Sequence, residues 1–102
     1  IVGINPTRRG AELERDIIAL KVPNLDTALA DSVIQVVNAL RQMPLRKAPS
    51  VSESIDWANT LVALGADSLT EEVVAESLGV ILKHTDDIEK ARTKLDLAEV
   101  LS

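Results

Sequence analysis

Apolar side chains fall at helical intervals along almost the whole chain. After Gly10, the residues Leu13, Ile17, Ile18 and Leu20 recur with Glu12, Glu14 and Arg15 among them, and Pro23 ends the pattern, which predicts a first helix. Asp26 is placed to cap a second, in which Leu29, Val33, Val36, Val37 and Leu40 share one face up to Pro44. Two prolines then bracket Leu45-Arg46-Lys47-Ala48, and this stretch from Pro44 to Pro49 predicts an extended loop with two adjacent cations.

A third helix opens at Ser50-Val51-Ser52-Glu53, where the serine hydroxyl and the glutamate can satisfy each other's free backbone N–H groups. Gly65 suits its left-handed stop. Its expected buried face is Val51, Ile55, Ala58 and Val62. Ser68-Leu69-Thr70-Glu71 has the same capping-box form and opens a fourth helix, striped by Val73, Val74, Leu78, Ile81 and Leu82 and ending near His84. Thr85-Asp86-Asp87 starts a fifth, running through Ile88, Ala91, Leu95 and Ala98, with its acids at the end that the helix dipole favours. The fold class that results is all-α, a bundle of four or five helices joined by short turns.

Ile1-Val2-Gly3-Ile4 breaks the helical pattern: it is a β-prone run stopped by Asn5-Pro6, too short to stand without a sheet to pair with. Either it is a loose tail or it is the remnant of a strand from a sheet encoded elsewhere. The chain supplies its own core, because 33 of the 102 residues are Leu, Ile or Val. Cysteine is absent, which removes thiolate catalysis, Cys-ligated zinc, iron–sulfur clusters and disulfides. No apolar run approaches the ~20 residues of a membrane span, and the N-terminus lacks the pattern of a signal peptide. A cytoplasmic protein is expected.

Charge narrows the chemistry further. The net charge is −5, and Trp57 is the only aromatic side chain, so neither a basic surface nor a stacking platform is available for nucleic acid. Trp57 is read as a core anchor. The charge is unevenly spread: residues 1–51 carry 7 basic and 5 acidic side chains, residues 52–102 carry 4 and 11. An anion would therefore be met only in the first half. The glycines at 3, 10, 65 and 79 form neither a phosphate loop nor a dinucleotide fingerprint. His84 has no second histidine or serine–aspartate set placed beside it and reads as a solvated residue. Asp86, Asp87 and Glu89 lack the spacing of a calcium loop and read as a helix N-terminal cluster, so neither catalytic residues nor metal ligands are assigned.

Two family resemblances bear on function. Gly65-Ala66-Asp67-Ser68-Leu69 resembles the phosphopantetheine attachment site of acyl carrier proteins, which would make Ser68 the modified residue. The positions that follow, Glu72, Val73 and Glu76, depart from that family's register, and a helix-capping role accounts for Ser68 equally well. The second resemblance runs from residue 11 to about residue 91. It is carried by Glu12-Leu13-Glu14-Arg15-Asp16-Ile17-Ile18-Ala19-Leu20-Lys21-Val22-Pro23, by Leu45-Arg46-Lys47-Ala48-Pro49-Ser50-Val51-Ser52-Glu53-Ser54-Ile55-Asp56-Trp57-Ala58, and by residues 61–69. In order and spacing these resemble the C-terminal helical lid of MoxR-family AAA+ ATPases, in the branch associated with maturation of carbon monoxide dehydrogenase-like enzymes.

That resemblance implies a division into residues 1–10, the remnant of a core strand and linker, and residues 11–102, the helical lid domain. It implies a parent ATPase whose ATP and Mg²⁺ are bound by a nucleotide-binding core not included in this chain, and a chain that has no hydrolytic activity or cofactor of its own. The implied partners are that core, neighbouring subunits of a ring, a von Willebrand A-domain protein and a client metalloenzyme. In many such lids a sensor-two arginine faces the γ-phosphate. Ser52 stands at the matching position here, which leaves Arg46, Lys47, Ser50 and Ser52 as the nucleotide-proximal candidates. The alternative for this segment is a solvated loop whose serines only cap the helix.

Overall fold

The computed structural model describes residues 10–96, 99 and 100. They form an all-α bundle of five helices: α1 (Gly10–Lys21), α2 (Thr27–Arg41), α3 (Val51–Ala63), α4 (Glu71–Ile81) and α5 (Thr85–Lys94). No strand occurs among the described residues, and the expected strand at residues 1–4 lies outside them. None of these helices is long and apolar enough to cross a membrane.

Helix α2 is the inner element, with Val33, Val36, Val37 and Leu40 fully buried. Asp26 caps it, its carboxylate accepting from Ala28 N at 3.1 Å. Helix α1 packs on α2, and α3 packs on α4, so that α2 and α3 meet in the middle. Trp57, on α3, has no exposed surface, and its indole N–H donates across to Ser77 Oγ on α4 at 2.7 Å. That hydroxyl donates to Val73 O at 2.7 Å, so the one polar atom of the indole is satisfied inside the core.

The structure corrects several details of the sequence reading. On α1 the buried positions are Glu14, Ile18 and, just beyond the helix, Val22, while Leu13, Ile17 and Leu20 are 44%, 38% and 79% exposed. A pattern of apolar residues alone cannot select a face that contains a glutamate. On α3 the buried face is Glu53, Ser54, Trp57, Ala58 and Leu61, with Val51 exposed and Ile55 and Val62 half-buried. The large indole sets the rotation of this helix. The cap of α4 is Thr70, whose Oγ1 accepts from Val73 N at 3.1 Å, and Ser68 is exposed in the preceding turn. Leu69 is buried between them, which places the first helical turn two residues later than the Ser68–Glu71 box requires. Finally, α4 stops at Ile81 rather than near His84, because Leu82 turns extended and buries its side chain. Helix α5 ends at Lys94, so Leu95, expected within it, is instead its extended C-cap, and Ala98, also expected there, lies outside the described residues.

The end of α3 follows the sequence closely. Gly65 has φ +70°, Ala66 N donates to Leu61 O at 3.1 Å and Gly65 N to Val62 O at 3.0 Å, the paired bonds of a Schellman stop. A Cβ at Gly65 would meet no atom within 4 Å, so Gly65→Ala is strained only through its backbone and should cost about 1 kcal/mol. Gly79, inside α4 and equally unobstructed, should respond with the opposite sign, Gly79→Ala adding about 0.5 kcal/mol. Urea titrations followed by circular dichroism would check both.

Candidate functional site

The residues expected near a ligand lie on the connection from α2 to α3, and three buried carboxylates, Glu14, Glu53 and Asp87, shape it. Prolines at 44 and 49 keep the segment out of a helix, so its backbone N–H groups need acceptors from elsewhere. Asp87, on the first turn of α5 and fully buried, supplies two of them: Oδ1 accepts from Arg46 N at 2.8 Å and Oδ2 from Lys47 N at 3.1 Å. Lys90, one turn along α5, donates to Pro44 O at 2.7 Å. The far end of the loop is held by Arg41, whose Nε donates to the buried Pro49 carbonyl at 2.9 Å. The same guanidinium makes a two-pronged pair with Glu14 at 2.5 and 2.8 Å, and Glu14 is only 3% exposed.

Between these anchors the four candidates are differently placed. The Arg46 side chain is 65% exposed, and its one ion pair, to the equally solvated Asp86 at 3.7 Å, is of the kind worth about 0.2–1 kcal/mol. Lys47 is exposed beside it. Ser50 is the cap of α3, and its hydroxyl is occupied, donating to Glu53 Oε1 at 2.8 Å and accepting from Glu53 N at 3.4 Å. Ser52 is exposed on the first turn of α3. The loop thus brings Arg46 and Lys47 together on a fixed backbone, while Ser50 is already engaged in holding the helix end.

His84 is half-buried at the N-cap position of α5 and makes no side-chain cap bond there. Asp86, Asp87 and Glu89 do not converge on one point: Asp87 turns into the loop, Asp86 faces Arg46, and Glu89 pairs with Arg92 at 3.7 Å. No group of three metal-ligating side chains occurs among the described residues. Sequence reasoning overlooked Glu14, Arg41 and the inward role of Asp87. The available signal was the pair of prolines, which implies amides in search of acceptors without saying which acid provides them. Beside the loop, Leu13, Ile17 and Val51 form an exposed apolar cleft with Ser50 at its rim and the Glu14–Arg41 pair in its lining. Compared with family models, with curated proteins and with solved structures, the chain matches none of them significantly.

The Glu14–Arg41 pair is structural before it is anything else. Arg41→Met would leave a buried carboxylate without its cation, and the expected loss is about 3 kcal/mol, at the low end for an orphaned buried charge because Arg41 is partly solvated. Replacing both, as Glu14→Leu with Arg41→Met, should recover most of that loss in a urea titration at neutral pH.

Acid should weaken the same network. Burial alone would raise the carboxyl of Glu14, but hydrogen bonds from Arg41 and Ser54 and the Arg41 charge bring it below the ordinary glutamate value. At Glu53 burial is likewise outweighed by the Ser50 amide and hydroxyl, with smaller help from Lys47 and Lys83. At Asp87 burial is outweighed by the Arg46 and Lys47 amides, aided by His84 and Lys90. Each group therefore binds a proton more weakly when folded. Its contribution is complete above the ordinary values, 4.5 for the glutamates and 3.8 for the aspartate, and is lost as the pH falls through the lower folded values. Urea midpoints measured from about pH 7 down to about pH 3 should begin to fall below about pH 4.5. Asp87→Asn should shrink that fall.

Proposed function

We propose that the chain is the helical lid of a MoxR-type AAA+ ATPase, coupling nucleotide state in a separate core to remodelling or metal-centre maturation of a client enzyme. The observation that carries this reading is the presentation of Arg46: a solvated guanidinium on a backbone pinned at both ends, next to an exposed apolar cleft. A lid would use both features, an apolar seat on its core and a cation on an anchored backbone. The resemblance over residues 45–58 supplies the family, and the geometry favours Arg46 over the other candidates. Ser50 is committed to its cap, Ser52 offers only a hydroxyl, and Lys47 lacks the planar fork that suits a phosphate.

On this reading ATP and Mg²⁺ belong to the core, and the described residues add the Arg46 charge, carried on a held backbone, toward the phosphates. Arg46 would stabilise negative charge that grows as the terminal phosphoryl group transfers. The bundle itself would move as a rigid body when the nucleotide changes, with the cleft of Leu13, Ile17 and Val51 seated against the core or the next subunit. A cytoplasmic location and a ring assembly with a von Willebrand A-domain partner belong to the same proposal.

In the longer polypeptide that joins this lid to its core, Arg46→Ala should slow ATP turnover about tenfold to a hundredfold, the loss of one charge-assisted contact, with little change in melting temperature. Lys47→Ala should do less. Unchanged turnover in Arg46→Ala would count against the assignment. The carrier-protein alternative is separated by mass: incubation with a phosphopantetheinyl transferase and coenzyme A should leave the chain unmodified, whereas a pantetheine arm on Ser68 would establish that alternative.

A further inference from the structure

We infer that Asp87 is a latch that makes α5 and the Pro44–Pro49 loop a single cooperative unit, so that neither can leave the body of the protein without releasing the other. This goes beyond the lid reading and does not rest on it.

The apolar hold on α5 is slight. Only Asp87 and Ala91 are buried along its ten residues, and Ile88 is half-buried, whereas α2 buries seven side chains, all of them apolar. A methyl group, part of Ile88 and part of Leu95 at the helix end give little area to remove from water by comparison. The polar contacts are concentrated instead on one turn, where Asp86, Asp87 and Lys90 meet Arg46, the two loop amides and Pro44 O. Of these, the Asp86 pair is exposed and weak, so Asp87 and Lys90 carry the attachment.

The position of Asp87 makes the attachment reciprocal. It is the third residue of α5, where an acid commonly reaches back to the cap amide of its own helix, as Glu53 does in α3. Asp87 reaches across to the loop instead, and α5 begins without any side-chain cap. If α5 moved away, the Arg46 and Lys47 amides would lose both acceptors at once. If the loop moved away, a fully buried carboxylate would lose both of these donors. Each departure gives up two charge-assisted hydrogen bonds at once, which penalises separating either element alone. The chemistry is also specific to a carboxylate: two adjacent N–H groups need two acceptor oxygens, and an asparagine would turn an N–H₂ donor toward one of them. By linkage, any ligand that reshapes the backbone under Arg46 and Lys47 shifts the docking of α5, and the reverse.

Amide hydrogen exchange resolved residue by residue tests the latch in the chain as it stands. In Asp87→Asn, the Arg46 and Lys47 amides and those of α5 should exchange at least about tenfold faster, together, while α2 and α3 keep their protection. Unchanged exchange in α5, or equal acceleration in α2 and α3, would overturn the proposal. Lys90→Met keeps the aliphatic stem but loses the bond to Pro44 O, and decides the matter if Asp87→Asn does not fold. Acceleration confined to α5 and the loop supports the latch, and acceleration in neither or throughout the bundle overturns it.

Discussion

A buried carboxylate that accepts two consecutive backbone amides sets where the α2–α3 connection and the last helix sit. The prolines at 44 and 49 forbid the simplest solution, a continuous helix from α2 into α3, and leave a connection whose amides must be satisfied from outside. Asp87 meets that demand from α5, distant in sequence, and thereby fixes where α5 sits. Without that bond the loop would be one of many solvated conformations, and α5 would retain mainly Ala91 and parts of Ile88 and Leu95 to hold it.

Another buried carboxylate works on the opposite end of the same connection. Glu14 orients Arg41, and Arg41 in turn fixes the Pro49 carbonyl immediately before the α3 cap. The start of α3 is therefore fixed through its capping box and through a guanidinium that also anchors α1. The exposed Leu13 and Ile17 stand beside this pair because α1 spends its inward face on Glu14, Ile18 and Val22. Polar organisation inside the bundle and apolar surface outside it are thus two sides of one choice of helix rotation.

Five helices, their order and most of their ends were legible in the chain, since periodicity, proline stops and the Gly65 turn are local signals. So was the burial of Trp57, the largest apolar side chain available. Helix rotation was less legible. On α1 it is decided by Glu14, a residue that hydropathy assigns to solvent and that is buried only because Arg41 lies across from it. On α3 the bulk of Trp57 overrides the stripe of Val51, Ile55 and Val62. The cap of α4 went to Thr70 rather than Ser68 because Leu69 had to reach the interior, a tertiary requirement that two equivalent capping patterns cannot express. For the candidate site, the loop and its two cations could be read from sequence. The acids that fix its shape come from α1 and α5, and pairings across such distances leave no local trace.

The lone indole has an optical consequence. Trp57 is sealed between α3 and α4 with its N–H bound to Ser77, and the chain contains neither tyrosine nor phenylalanine. Near-ultraviolet absorbance and intrinsic emission therefore view a single internal seam. A denaturation curve recorded through that window would trace the body of the bundle, and detachment of its last helix would pass unseen.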